Sequence, residues 1–371
     1  MEAQNKLVTD LQKQVDEMKA QFKNATSYSY SPGYTFVGNL PTELFYAPSI
    51  GTPAISDIFT VRQGIRTDEY LVLVHTLEKI VAATTGCSPS YTTAGTLSDR
   101  KISVAKISSN LQWCKSDFIS TASALSNDPS FVGNGLDGYE VSAAVRKMWM
   151  QQMVDGIRKD IFRLMILGND TSGNANWNIA EGLLVKLYDG NASYCVKRVG
   201  NDLPNQHNSV LSAGQALSTL RALHEGSQIE LKMLPPQEKV FWVTASIYEN
   251  LMTSYESNST SNSSTSDMFR NMVDGNYELY FRGVQVKPLY LIDNYLANDS
   301  TCPWYDNVRH FAIYTPKATS KYSNLVFGTE KASDLDRIDM FYDQRLLTTF
   351  AQFEGRYGVQ YINCNLTAFY D

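Results

Sequence analysis

The sequence predicts an α+β protein organised around one long helix, and three observations lead there. The stretch 137–174, DGYEVSAAVRKMWMQQMVDGIRKDIFRLMILGNDTSGN, has no proline between Tyr139 and Leu167, and Gly156 is its only glycine there. Two strand-like runs between 57 and 107 flank a long polar reversal, GCSPSYTTAGTLSDR. From Arg309 to Phe369 one strand-like run follows another: HFAIYT, NLVFG, IDMFY, LLTTFAQF and VQYINC.

The long helix is expected over 139–167, roughly 44 Å at ~1.5 Å per residue. Asp137 and Glu140 have capping-box spacing, and Gly168-Asn169 offers a left-handed stop. Val141, Ala144, Val145, Met148 and Trp149 share one face, whereas Met153, Ile157, Ile161 and Leu164 fall on another. The two ends should therefore pack against different partners.

Taken in order, residues 4–22 place Leu7, Leu11, Val15, Met18 and Phe22 at helical steps, predicting a short amphipathic helix of coiled-coil character. Pro32, Pro41, Pro48 and Pro53 punctuate an aperiodic stretch that reads as an extended arm. Residues 57–83, with DIFTVRQ and YLVLV, and then the run from Lys101 to Ile107, form a protruding hairpin. Its two faces are hard to bury within one chain, which points to contact with neighbours.

Residues 179–200 read as two short strands around Asp189-Gly190. Ser212 and Gln215 open a helix that Gly226 stops. A buried strand is expected at Val240–Val243, and a capping box at Ser246/Glu249 opens a helix to about Tyr255. ESNSTSNSSTS at 256–266 has the composition of an exposed loop. Residues 277–292 give two strands joined near Gly283. Together, 180–290 make a compact mixed lobe.

With 371 residues, 43% of them hydrophobic and 19% charged, the chain can bury a sizeable core in one large or two ordinary domains. A net charge of −6 without a long basic run argues against a protein whose main task is gripping phosphates. Cys87, Cys114, Cys195, Cys302 and Cys364 are scattered, never in CxxC spacing, and read as reduced thiols of a protein made in the cytoplasm. No window reaches the ~18 apolar residues of a membrane span, and no signal peptide is expected.

Catalytic patterns do not emerge. GNGLDG at 133–138 is a literal GxGxxG, but the polar, Pro129-interrupted residues before it are no buried parallel strand, so it reads as a loop. His75, His207, His224 and His310 lack metal spacing, and no GxSxG or P-loop occurs. Asp334, Asp336 and Asp339 read as a solvated turn, not a calcium loop. No catalytic, cofactor-binding or metal-binding residue is assigned, and no cofactor is expected.

The order of elements, with DIFRLMILGNDTSGN, IAEGLL, VFWVTASIYENLM, FRGVQVKP and RHFAIYTPKATSKYSNLVFGTE, resembles the tailed-bacteriophage major capsid proteins of the Hong Kong 97-like fold over roughly 30–371. The resemblance implies an N-terminal helix at 1–22, an extended N-arm at 23–56, an E-loop hairpin with flanking strands at 57–112 and a P-domain at 113–178 carrying the spine helix. An A-domain at 179–308 and closing P-domain strands at 309–371 complete it. It further implies a non-enzymatic shell subunit, in the virion and assembled in the host cytoplasm, forming hexamers and pentamers around double-stranded DNA contacted non-specifically. A portal would be its partner, decoration proteins being left open; since 22 residues are too few for a cleaved scaffolding segment, either a separate scaffolding protein or a retained helix is implied. Encapsulin-like nanocompartments share the architecture; a nucleotide-dependent enzyme is the alternative of another class. Some relatives carry Lys–Asn cross-links. Lys79, Lys101 or Lys106 with Asn363 would be the pair by position, though unreacted surface residues are the expectation.

Overall fold

The structure is a computed structural model describing residues 54–74, 97–114, 143–260, 268–273, 276–331, 338–343 and 348–371. The expected N-terminal helix, nearly all of the arm, the hairpin tip, the Asp137/Glu140 cap and the glycine loop lie outside the described residues. The described chain divides into two units: one draws on Ser108–Gly156 and Arg337–Glu354, the other on Ser49–Ile107, Ile157–Asp336 and Gly355–Asp371.

Residues of the long helix α2 (Ala143–Leu167) belong to both units, changing over at Gly156. (A single turn, α1, Ile55–Ile58, precedes it.) Met153, Ile157, Ile161 and Leu164 are buried, as their common face requires, together with Phe162, Met165, Ile166 and Leu167. The stop differs from the expected one. Positive φ occurs at Gly64, Gly214 and Gly283 but not at Gly168. Gly168 is there for lack of space: a Cβ would lie 2.4 Å from the Leu164 carbonyl oxygen and 2.5 Å from that of Ala180. The orphan carbonyl of Leu167 is capped by the Trp304 indole, Nε1 donating at 2.9 Å.

In the first unit, β12 (Asp339–Asp343) pairs antiparallel with the first half of β13 (Thr348–Tyr361). Asp339 is thus a strand residue, opposite Gln352, and not part of a solvated turn.

The second unit centres on a seven-stranded sheet of β5 (Lys197–Arg198), β14 (Ala368–Tyr370), β10 (Ala312–Pro316), β6 (Lys239–Thr244), β9 (Val284–Leu289), β8 (Asn276–Phe281) and β7 (Met268–Val273), in that spatial order. β6 runs parallel to β9 and antiparallel to β10. Every β6 residue is buried, the pattern of a strand covered on both faces. On one face lie α4 (Gln215–Gly226) and α6 (Ala245–Thr260), which pack Ala216, Leu220, Leu223, Ile247 and Leu251 against Phe241, Val243, Leu279, Val286 and Tyr314. The buried positions Ala216, Thr219, Leu220 and Leu223 trace one helical stripe. Other helices are α3 (Leu183–Ala192), α5 (Ile229–Met233) and α7 (Tyr290–Asn298).

Two readings of this lobe needed correction. Residues 183–192 are helical rather than strand, because Leu183, Leu184 and Leu187 bury one helical face; only Lys197–Arg198 pair as a strand. α6 runs on to Thr260, five residues past the expected end, so Glu256–Thr260 are helix and not loop. The Ser212/Gln215 box is half present, with the Ser212 amide donating to Gln215 Oε1 at 2.9 Å. Arg282 (φ 49°) and Gly283 (φ 79°) supply the two left-handed residues of the tight β8–β9 turn.

A further group of strands builds on β11 (Leu325–Gly328). It pairs parallel with β1 (Thr60–Arg62) and antiparallel with the second half of β13. The DIFTVRQ stretch thus divides between the α1 turn and β1.

Candidate functional site

The hairpin is β2 (Asp68–Val74) against β3 (Leu97–Ser103), antiparallel, with Asp68 opposite Ser103 and Val74 opposite Leu97. The second strand starts at Leu97, four residues before the expected Lys101. β4 (Ala105–Cys114) follows directly.

Its root is held tightly. Leu71 and Ile102 are buried with Ile65 and Val326 in a small core. A Cβ at Gly358 would lie 2.1 Å from the Ser103 carbonyl oxygen, so β13 meets the root backbone to backbone, which a side chain at 358 would prevent. Gln360 Nε2 donates to the Lys101 carbonyl at 2.9 Å, and Arg356 Nη1 donates to that of Arg66 at 2.6 Å. The Arg100 guanidinium lies 4.4 Å from the centre of the Tyr361 ring.

The other face is different. Side chains alternate along a strand, so Tyr70, Val72 and Val74 share a face with Leu97, and they are 59%, 60%, 71% and 70% exposed. Asp99, opposite Val72, and Lys101, opposite Tyr70, lie on the same face, and covering each of the four apolar side chains would gain on the order of 1–2 kcal/mol. Lys101 and Asp68 form an ion pair (2.8 Å) at the root end of that face. The hydrogen bond from Lys101 holds the Asp68 carboxyl below its usual range.

His207, His224, Asn363 and Lys101 do not gather into one site. His207 stacks on Tyr305 (centroids 4.2 Å apart) and meets Asp306, while burial lowers the pKa of His224. Asn363 Oδ1 accepts from the Asn365 amide, and Lys101 is engaged with Asp68. Lys79, His75 and Cys87 lie outside the described residues. Among those described, no three His, Cys, Asp or Glu side chains are grouped so as to hold a metal, and no helix is long and apolar enough to cross a membrane.

The fold assembles two clusters that the sequence did not reveal. Ser246 Oγ lies 2.7 Å from His310 Nδ1 and 3.0 Å from Asp293 Oδ1, and Asp293 also takes Arg309 bidentately at 2.8 and 3.1 Å. The carboxylate engages the serine and the arginine instead of orienting the histidine, and burial pushes His310 down to about 4. Ser246, expected as a helix cap, ties α6 to α7 and to the segment just before β10 instead. The second cluster is a disulfide between Cys195 and Cys364, with Cα atoms 5.4 Å apart. This corrects the expectation of reduced thiols throughout. The parallel pairing of β14 with β5 brings the two cysteines together across 169 residues, and no local spacing announces it. Cys302 is free and buried, its thiol pushed up to about 11 by desolvation.

No protein-family model matches the sequence, and no curated protein matches it. Solved structures match along nearly its whole length. The capsid structure of the Cyanophage P-SCSP1u gives a TM-score of 0.55 at 12% identity, covering 92% of this chain and 98% of that one. The capsid of Myoviridae Phage XM1 gives 0.52 at 11%, covering 92% and 99%. The capsid of a native GTA particle gives 0.50 at 10%, covering 93% and 98%. At such identities the likeness is one of fold, and the chain has the fold found in these capsid structures.

Proposed function

We propose that the chain is a major capsid protein, self-assembling into the icosahedral head shell that encloses the genome of a tailed bacteriophage. The observation that carries this is the hairpin: its root is fixed in the subunit while its outer face leaves Tyr70, Val72, Val74 and Leu97 in water. The end-to-end likeness in fold to chains solved as capsids supports the same reading. On it, the hairpin is the E-loop, α2 the spine of the P-domain, and the seven-stranded lobe the A-domain. The apolar outer face is then covered by a second copy of the chain. No catalytic role is assigned. The subunit takes a scaffold, a portal and decoration proteins as partners and faces packaged double-stranded DNA without gripping it, in keeping with its net charge of −6.

Purified protein examined by negative-stain microscopy should show closed shells. Particles recovered together with a co-expressed portal and packaging motor should hold nuclease-protected double-stranded DNA. Shells that enclose a protein cargo and no DNA would assign a nanocompartment instead. A soluble monomer or dimer under all assembly conditions would contradict shell formation.

A further inference from the structure

The Cys195–Cys364 bond sits at one end of the seven-stranded sheet, beside its shortest strand. β5 has only two residues, and its parallel pairing with β14 spans Ala368↔Lys197 and Phe369↔Arg198. Two residues of ladder contribute little hold. Arg198 reinforces the same end by donating to both carboxylate oxygens of Asp371, at 2.7 and 2.8 Å. The sulfur of Cys195 is also in contact with a cation from another element: Arg100 Nη2 on β3 is 2.7 Å from it, its guanidinium over the Tyr361 ring. A guanidinium against a cysteine sulfur favours the thiolate, the form that attacks disulfides and the form that leaves from them.

We propose that Cys195 and Cys364 form a redox clasp, with Arg100 as the positioning residue that makes Cys195 the reacting sulfur. In a reducing compartment the pair rests as two thiols. Given a low-molecular-weight disulfide RSSR, the Cys195 thiolate attacks one sulfur, forming a mixed disulfide and releasing RS⁻. Cys364 loses its proton to solvent, attacks the Cys195 sulfur and expels the second RS⁻. Two electrons pass from the cysteines to RSSR, which leaves as two thiols. The closed clasp fastens the segment Cys364–Asp371 to the α3–β5 connection, and Arg100 makes the hairpin root part of the same device. Opening follows the reverse course: RS⁻ attacks the Cys195 sulfur and expels the Cys364 thiolate, and a second RS⁻ attacks the outer sulfur of the mixed disulfide, releasing RSSR and the Cys195 thiolate beside Arg100. Other charged and titratable groups around the clasp are the Tyr361 hydroxyl, Asp189 on α3, and Glu230 on α5, which accepts from Asn365 at 3.0 Å. The chemistry belongs to one subunit and stands whether or not the chain assembles.

The full-length protein, reduced and then treated with oxidised glutathione, tests this by non-reducing peptide mapping and thermal melting. A Cys195–Cys364 linked peptide is expected, with a melting temperature roughly 5–10 °C above that of the reduced protein, because the bond closes a long loop. Cys364→Ser should abolish both the peptide and the dependence on reductant. In that Cys364→Ser background, alkylation of Cys195 by iodoacetamide at pH 7 should slow about tenfold with Arg100→Gln, the change that one pKa unit gives, and recover with Arg100→Lys. A melting temperature indifferent to reductant, with no linked peptide, would overturn the clasp. Equal alkylation rates in Arg100→Gln, Arg100→Lys and the parent would overturn the role of Arg100.

Discussion

Strands β2 and β6 carry equally apolar sequences and meet opposite fates. In β6, KVFWVT, all six residues are buried, including Lys239, whose ammonium reaches the Leu231 and Lys232 carbonyls at 3.3 Å each. In β2, DEYLVLV, Leu71 is buried while Tyr70, Val72 and Val74 stay in water. The difference lies in what covers each face. α4 and α6 cover one side of the β6 sheet, and the subunit supplies only a root for β2. A single chain buries the first strand; on the proposed function, a second copy covers the second. Substitutions should therefore act on folding in one strand and on association in the other.

The largest effect is expected in the lobe. Phe241 is fully buried and stacks on Tyr314 with centroids 4.3 Å apart. Phe241→Ala should cost about 3–5 kcal/mol, read as a lowered denaturation midpoint of the unassembled subunit. A loss under 1 kcal/mol would mean that the lobe core is not closed.

The next effect depends on pH. Burial holds His310 neutral down to about 4, against 6.5 for the free group. The unfolded chain binds the proton first as pH falls, so the contribution is fully present above 6.5 and drains away between 6.5 and 4. It amounts to about 3 kcal/mol. Denaturation midpoints measured across that window should fall less steeply in His310→Gln than in the parent. Parallel slopes would contradict the assignment.

Gly358 tests the hairpin root. A methyl group at this position meets the Ser103 carbonyl, so Gly358→Ala should cost about 1–3 kcal/mol and loosen β2–β3, which hydrogen exchange at Leu71 and Ile102 would report. Unchanged protection would show that the root is not anchored by this approach.

Several of the described elements were legible in the sequence for local reasons. The buried face of α2, the strand at Val240–Val243 and the turn at Gly283 follow from periodicity and from glycine's tolerance of positive φ. The errors arise where tertiary context outweighs local pattern. LLVKLYDG carries β-branched and aromatic residues around Asp-Gly, yet burying Leu183, Leu184 and Leu187 together makes it helical. Glu256–Thr260 lack apolar residues but extend an existing helix, where propagation costs far less than nucleation. The outer hairpin face was foreseen in kind, because alternating apolar residues beside a long polar reversal leave one side uncovered. The disulfide and the Ser246–His310–Asp293 cluster could not be read from spacing, because each depends on which strands become neighbours.

The smallest expected effect on the subunit carries the most information. Val72 and Val74 are exposed, so Val72→Ser with Val74→Ser should leave the melting temperature of the unassembled subunit within about 1 °C. The central claim is that a second copy covers this face. Sedimentation velocity of the double variant beside the parent, under conditions where the parent forms shells, tests it most directly. The account predicts folded, unassembled subunits for the variant. Shells forming from it at the parent's yield and sedimentation coefficient would contradict the claim.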